Sequence, residues 1–370
     1  MFNLRVVQAD FGDCLILECG SAREPRYILI DGGPEGIYER HLGPELRRIG
    51  QDGGGLDLVV LSHVDNDHAI GLLDFLGELE EQRANGAPAT IAASALWHNS
   101  FSRTIGSGTD VEPRLRSMLA AAGAAAQVMA STDAAVAGIG EGNNLRQKAL
   151  ALGFELNAAF PGGLIRVEDA SAPITLANLT LRVVGPTQAN LDELKREWQE
   201  WLDKHEAAVG SGDPRLAANA DRSVPNLSSI MLLAGADQKT LLLTGDGRSD
   251  HLLQGLEQAG LLTSDGSLHV DVLKVAHHGS DRNATKRFFR KVTADTYVLS
   301  ANGRDGNPDL ATLIWIVEAA KAQGRSIELV LTNETPSLGK LRAEYDGDEH
   351  GYRTTVLPPE ADSIVVELAP

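Results

Sequence analysis

Three times along this chain an apolar run breaks off into residues that bind cations. "LDLVVLSHVDNDH" carries Leu58, Val59, Val60 and Leu61 into His63, Asp65, Asp67 and His68, "TLLLTGDG" ends in Gly245 and Asp246, and "VLKVAHHGS" ends in His277, His278, Gly279 and Ser280. Short apolar runs closed by Gly and polar turn residues read as buried strands. Buried strands must be covered by other layers, and the glycines mark places where backbone comes close. The chain is thereby constrained to a layered α/β arrangement in which three strand ends meet on one rim.

The other elements support such layers. "LRVVQADFGDCLILECG" and "RYILIDGGPEG" read as strands joined by turns, and "GPELRRIG" as a short helix. "AIGLLDFLGELEEQR" is an amphipathic helix predicted to turn Ile70, Leu73, Leu76 and Leu79 inward, so the first ligand cluster falls between a strand and a helix. Between about 84 and 225 the pattern is less regular. That stretch holds an Ala-rich segment at 119–137, a helix in "LDELKREWQEWLDKHEAA" whose Trp198 and Trp201 read as core packing, and a predicted mobile loop at 210–226. Regularity returns with a hairpin in "SSIMLLAGADQKTLLLTGDG", a helix in "SDHLLQGLEQAG", and strands in "VDVLKVAHHGS", "ADTYVLSANG" and "SIELVLTNE". Two β-rich halves, each with helices, predict two packed sheets with helices outside, in one domain over 1–370. The stretch 84–225 reads as an irregular or helical insertion, a surface for a protein partner or a second copy of the chain.

Composition narrows the function. The 370 residues are 43% hydrophobic, enough for a large core, and no run reaches the ~18 apolar residues of a membrane span. The N-terminus lacks the basic and apolar regions of a secretion leader, and the expectation is a cytoplasmic protein. Cys14 and Cys19, the only cysteines, sit in "DCLILEC", five positions apart on opposite strand faces, and cannot bridge. The formal net charge of -18 disfavours tight sequence-independent binding of a nucleic-acid backbone. "DRNATKRFFRK" runs against that balance, with Arg282, Lys286, Arg287, Arg290 and Lys291 around Phe288 and Phe289. It reads either as a solvated helix face or as a phosphate-binding patch.

Singly, each residue of the first cluster has an ordinary reading. Asp67 would cap the helix, His68 would be a first-turn residue and Asp65 a turn former. Jointly, four ligands in six positions exceed what a cap needs. His63 and Asp65, two apart in extended chain, point the same way, and the turn into the helix swings Asp67 and His68 to a neighbouring point.

These motifs resemble those of the metallo-β-lactamase-fold hydrolases, and most closely the branch containing the hydrolase domain of competence-type DNA-uptake channel proteins. "FGDCLILE" and "YILIDGG" resemble that branch's opening strands, "SHVDNDHAIGLL" its metal loop, "LLLTGD" its bridging aspartate and "LKVAHHGS" its closing motif. The likeness runs from about residue 5 to 300. It implies a four-layer αββα sandwich with one or two divalent ions, zinc or manganese, at the edge of the sheets. By position, it implies His63 and Asp65 on the first ion, Asp67, His68 and His277 on the second, Asp246 bridging, and Asp31 of "LIDGG" steadying the metal loop. Asp67, Asp246 and His278 would serve the chemistry, and Gly279, Ser280, Arg282 and Arg287 would face the substrate. Two departures stand out. Asp65 replaces the family's second histidine, a harder, more oxygen-rich ligand that favours manganese relative to zinc alone. The histidine usually found between the metal loop and the bridging aspartate is missing, with His98 of "LWHNS" the nearest candidate and Glu141, Asn143 and Asn144 of "GEGNN" as substitutes.

The resemblance implies hydrolysis by a metal-bridging hydroxide, with a phosphodiester in nucleic acid or a nucleotide-derived molecule as the favoured substrate. Two alternatives stay open: the same site acting on an ester, thioester or lactam, and a degenerate site serving as a binding or regulatory module.

Overall fold

The computed structural model describes residues 1–105, 113–114, 134–170, 172–211 and 228–370. Its strands form two sheets. The first contains β1 (Phe2–Val7), β2 (Leu15–Ser21), β3 (Glu24–Ile30), β4 (Gly55–Leu61), β5 (Ala92–Ala93), β6 (Ala95–His98), β7 (Glu155–Leu156) and the late strand β16 (Ser363–Ala369). Its order is β16-β1-β2-β3-β4-β6-β7, with β5 also on β4. The second contains β8 (Ile174–Leu176), β9 (Leu179–Gly185), β10 (Met231–Ala236), β11 (Lys239–Leu243), β12 (Leu268–Lys274), β13 (Val292–Leu299), β14 (Ile327–Leu331) and β15 (Tyr352–Val356), in reverse numerical order from β15 to β8.

Side-chain alternation sets the layers. On β4, Leu58 and Val60 face the second sheet, where they join Leu232, Leu243, Val272 and Val298 in a core between the sheets. Val59 and Leu61 face the other way, onto the helices α1 (Gly43–Gln51) and α2 (Asn66–Ala84). Both faces of β4 are thus buried, and each such side chain contributes roughly 1.5–3 kcal/mol relative to exposure. The short α3 (Phe101–Thr104) and the longer α4 (Ala134–Leu152) follow, and Leu145 and Ala149 of α4 complete that outer layer. Across the molecule, α5 (Gln188–Ser211) and α6 (Ser249–Gln258) precede α7 (Lys286–Lys291), α8 (Leu310–Ala322), α9 (Pro336–Glu344) and α10 (Gly347–His350). Leu256, Phe289, Ile316 and Leu338 from these helices cover Leu242, Leu273 and Tyr297 on the outer face of the second sheet. Helix, sheet, sheet, helix is the αββα sandwich expected from the motifs. Among the described residues no helix is long and apolar enough to cross a membrane.

Three details differ from the sequence reading. The stretch 84–225 is no mere insertion, because it supplies β5, β6 and β7 to one sheet and β8 and β9 to the other. The inward face of α2 is His68, Leu72, Phe75, Leu76 and Leu79, with Ile70 and Leu73 only half-buried. The helix is rotated so that His68 enters the site, and the apolar stripe follows at helical spacing from there. Finally, the predicted loop at 210–226 begins inside α5, which runs to Ser211; its remainder, and 119–133 of the Ala-rich segment, lie outside the described residues. Trp198 and Trp201 are buried and pack edge to face at 5.5 Å, core residues as expected. Cys14 and Cys19 are buried free thiols on opposite sides of the first sheet.

Candidate metal centre

Parallel pairing brings the strand ends together. β3, β4 and β6 run parallel in one sheet, and β11, β12 and β13 in the other, so the loops leaving them share a rim. After β4 the chain stays extended through His63 to Asp65, the N-cap of α2, whose carbonyl accepts from His68 N and Ala69 N at 2.9 Å each. That turn carries Asp67 and His68 back beside His63. The His63 and His68 rings stand 3.9 Å apart between centroids.

Asp246 enters from the second sheet and touches almost every member. Its carboxylate lies 3.6 Å from His63 Nε2, 3.4 Å from His68 Nε2, 3.6 Å from His278 Nε2 and 3.7 Å from His277 Nε2. His278 Nε2 is also 3.2 Å from Asp67 Oδ2, and His63 Nε2 is 3.6 Å from Asp65 Oδ2. The ligand atoms of His63, His68 and Asp246 lie within 4.8 Å of one another, as do those of Asp67, His68 and His278.

Local backbone explains why the two adjacent histidines part. His277 and His278 both hold left-handed dihedrals, φ 49° and 54°, so their side chains diverge, the rings being perpendicular. His278 is buried within the Asp67 and His68 group, whereas His277 lies at the rim with 28% of its side chain exposed. The geometry thus groups His278 with Asp67 and His68, while His277 meets Asp246 from the more exposed side. Gly279 follows at φ 86°, and a β carbon there would meet Pro308 at 2.6 Å.

An outer layer aims the imidazoles. Asp31 Oδ2 accepts from His68 Nδ1 at 2.8 Å and from Ser62 Oγ at 2.6 Å, and Ser62 Oγ in turn accepts from His63 Nδ1 at 3.1 Å. The Ser300 carbonyl accepts from His278 Nδ1 at 3.0 Å. With each Nδ1–H given outward, three Nε2 atoms face the centre. Asp31 does steady the loop: one oxygen also accepts from Ser62 N at 2.7 Å.

The charges are those of a cluster awaiting a cation. Burial opposes ionisation of every member, but at His68 the carboxylates of Asp246, Asp31 and Asp67 outweigh it and raise the imidazole well above its ordinary range. At His278 burial is likewise outweighed by Asp246 and Asp13, pushing the ring up to about 10. At Asp246 burial is outweighed by His277, His278, His68 and His63, and the carboxyl is held well below its usual value.

A divalent ion fits these residues. His63 Nε2, His68 Nε2, His278 Nε2, Asp65 Oδ1 and Asp246 Oδ1 are all buried without a hydrogen-bond partner. Buried polar atoms are ordinarily paired, and orphans clustered about Asp246 and His68 are what a ligand-bound cation would satisfy.

The other expected residues divide. Ser280 and Gly279 are buried beside His278. His98 ends β6 next to Leu61, buried with both ring nitrogens unpartnered, but it joins none of the converged ligand groups. Burial and Arg146 hold it down at about 4, so it is neutral. Arg282 and Arg287 are exposed, and no contact links either side chain to the cluster among the described residues. Phe288 and Phe289 face inward, Lys286 pairs with Glu318 and Lys291 with the Asp265 carbonyl, so the basic stretch is a helix face turned away from the core.

Two further residues were not legible as functional. Lys274 and Asp13 form a fully buried ion pair, Nζ to Oδ2 2.6 Å, and Asp13 Oδ1 lies 3.3 Å from His278 Nδ1. Asp13 N donates to the Asp67 carbonyl at 3.2 Å, and Ser300 Oγ donates to the Gly12 carbonyl at 2.6 Å, so the "FGDC" turn braces both metal loops. The only signal was a lysine inside the buried strand "VDVLKVA", which demands a partner.

Comparison with known proteins gives a partial match. Residues 9–117 match the metallo-beta-lactamase superfamily. That match covers under a third of the chain, and the αββα layering is the arrangement the motif resemblance implied. The matched stretch contains Asp13, Asp31, the metal loop and His98, while Asp246, His277 and His278 lie beyond it and are joined to the site by the geometry alone. Among solved structures, the metallo-beta-lactamase fold protein YhfI from Bacillus subtilis is similar at 11% identity and a TM-score of 0.40, over 99% of each chain. No curated protein matches the chain in sequence.

Proposed function

We propose that this chain is a metal-dependent hydrolase acting on phosphodiesters, with a nucleic acid or nucleotide-derived molecule as substrate. The observation that carries the hydrolase reading is the set of five buried, unpartnered ligand atoms at the meeting of three strand ends. The oxygen-rich ligand set favours manganese alongside zinc, and the motif likeness to the competence-type branch favours the phosphodiester. Because Arg282 and Arg287 stand off the cluster, phosphate selectivity would rest on the metal centre itself. That same observation keeps ester, thioester or lactam hydrolysis as the second reading.

His63, Asp65 and Asp246 would hold one ion, and Asp67, His68, His278 and Asp246 the other. When bound, divalent ions polarise a phosphoryl oxygen and bring the pKa of water toward ~7. Asp31, Ser62 and the Ser300 carbonyl fix the imidazoles so that Nε2 faces the site before any substrate arrives. His277, at the open edge of Asp246, would donate to a substrate oxygen or to the departing group.

With manganese or zinc added to chelator-treated protein, bis-p-nitrophenyl phosphate is expected to be cleaved, and Asp246→Ala to lower turnover on the order of 10³-fold. Cleavage of p-nitrophenyl acetate or a lactam, with none of the phosphodiester, would establish the second reading instead. Metal uptake with no hydrolysis of either class would leave a binding module.

The carboxylates around His68 and His278 favour the protonated imidazoles, so an ion at Nε2 would compete with protons there. Apparent affinity is expected to rise about tenfold per pH unit for each proton released between pH 6 and 8. Titration calorimetry in two buffers of different ionisation enthalpy measures that number directly; equal heats in both would contradict the protonated cluster.

A further inference from the structure

The first metal position has His63, Asp65 and Asp246 but lacks the histidine its family ordinarily adds. We propose that Glu141, delivered by helix α4, is the remaining ligand of that ion, so that the site carries a carboxylate where an imidazole is expected. The inference rests on the metal-site reading above.

Three observations place Glu141 there. First, α4 comes unusually close to the metal loop at the very next residue. A β carbon on Gly142 would lie 2.7 Å from Val64 Cγ1 and 3.2 Å from His98 Nε2, so the backbone touches the segment between His63 and Asp65. Glycine is required for that approach. Second, the carboxylate of Glu141 is already held over the loop. With its nitrogen facing Glu141, the Asn66 amide donates to Oε1 at 3.2 Å and also to Oε2. Third, Asp65 is the charged group acting on the half-buried Glu141, a like charge, and Asp65 Oδ1 and His63 Nε2 are each buried and unpartnered, while Glu141, like His98, stands outside the converged ligand groups of the ion-free structure. Burial and the like charge of Asp65 push the Glu141 carboxyl up to about 7, and a cation shared by the two carboxylates would relieve that repulsion.

His98 is the competing candidate, and its place argues against it. Its Nε2 meets α4 at Gly142, beneath the helix, and its backbone is tied down by Asn157, which accepts from His98 N at 2.9 Å and donates to its carbonyl at 2.8 Å. His98 supports the helix that carries Glu141. The resulting first shell of one imidazole and three carboxylates is harder than the family's usual set and selects manganese over zinc more strongly than Asp65 alone.

The test is metal binding by the full chain, read by calorimetry and by elemental analysis after gel filtration, for wild type, Glu141→Gln and His98→Gln. Gln keeps the shape of Glu and the Asn66 contact but supplies no charge. Wild type is expected to take up two manganese ions and Glu141→Gln one, the weaker ion losing more than the ~10–100-fold that removal of an outer partner costs. His98→Gln is expected to keep both ions within that range. Thermal denaturation of the metal-free variants serves as the folding control, and the shorter Glu141→Asp, expected to bind the second ion more weakly than wild type, guards against loss of fold in the first variant. Equal uptake by wild type and Glu141→Gln, at one ion or at two, overturns the assignment. So does loss of the ion in His98→Gln alone. A wild type that binds no ion at all would instead sink the hydrolase reading on which this rests.

Discussion

Lys274→Met should destabilise the protein by about 3–5 kcal/mol, the range for removing one partner of a buried pair. Lys274 and Asp13 are both about 1% exposed at the side chain, and among the described residues Lys274 Nζ otherwise donates only to the Val275 carbonyl at 3.1 Å. Removing the ammonium leaves a carboxylate in the core, and the unfolded state, where Asp13 is hydrated, gains by comparison. The pair also spans the two sheets, since Asp13 precedes β2 and Lys274 ends β12. Urea denaturation of Lys274→Met, Asp13→Asn and the double variant separates the effects. The double variant is expected to be more stable than Lys274→Met alone, because its uncharged amide no longer needs a cation. Equal losses in the two would mean that packing, and not charge, explains the site. Asp13→Asn should in addition loosen His278 and weaken metal uptake, since Asp13 lies against both His278 and His68.

The second large effect is expected in α2. Gly71→Ala should cost about 3 kcal/mol or more, whereas Gly77→Ala, two turns further along the same helix, should stabilise by about 0.5–1 kcal/mol. A β carbon on Gly71 would lie 1.9 Å from the Gly32 carbonyl oxygen, and one on Gly32 would lie 2.3 Å from Leu72 N. Here the turn after Asp31 crosses the helix backbone to backbone, with Gly32 N donating to the His68 carbonyl at 2.7 Å and Gly71 N to the Gly33 carbonyl at 3.0 Å. Neither side can give way without moving Asp31 off His68. Gly77 has only Lys148 Nζ within 4 Å, at 3.9 Å, so alanine there gains helix propensity without a clash. Denaturant midpoints for the two variants should shift in opposite directions. A neutral Gly71→Ala would show that the crossing is looser than these distances require.

Much of this was legible because the site is built from local sequence. Strand end, ligand and glycine stand together in "LSHVDNDH", "TGDG" and "AHHGS", and such spacing survives folding. What the sequence left undecided depends on contacts between distant segments. The order of His277 and His278 follows from two consecutive left-handed residues, a backbone choice that side-chain identity does not announce. The inward face of α2 is set by where His68 must point, not by its leucines alone. Asp13 carried no signal of its own, since its partner Lys274 comes from the other sheet, and the contribution of 84–225 to both sheets was hidden in strands of two to seven residues.

The edge of the first sheet has a bearing on how the chain is made. β1 lies between β2 and β16, and Arg5 Nη1 reaches Ser363 Oγ at 3.2 Å across a separation of 358 residues. At synthesis rates of ~5–20 residues per second, the earliest strand therefore waits on the order of 20–70 s with one flank of its backbone unpaired. During that interval it is a template for any extended segment, its own or a neighbour's. Expression at lower temperature, or with a holding chaperone present, should raise the yield of folded protein far more than it raises total protein, and the fraction in inclusion bodies measures the length of that exposure.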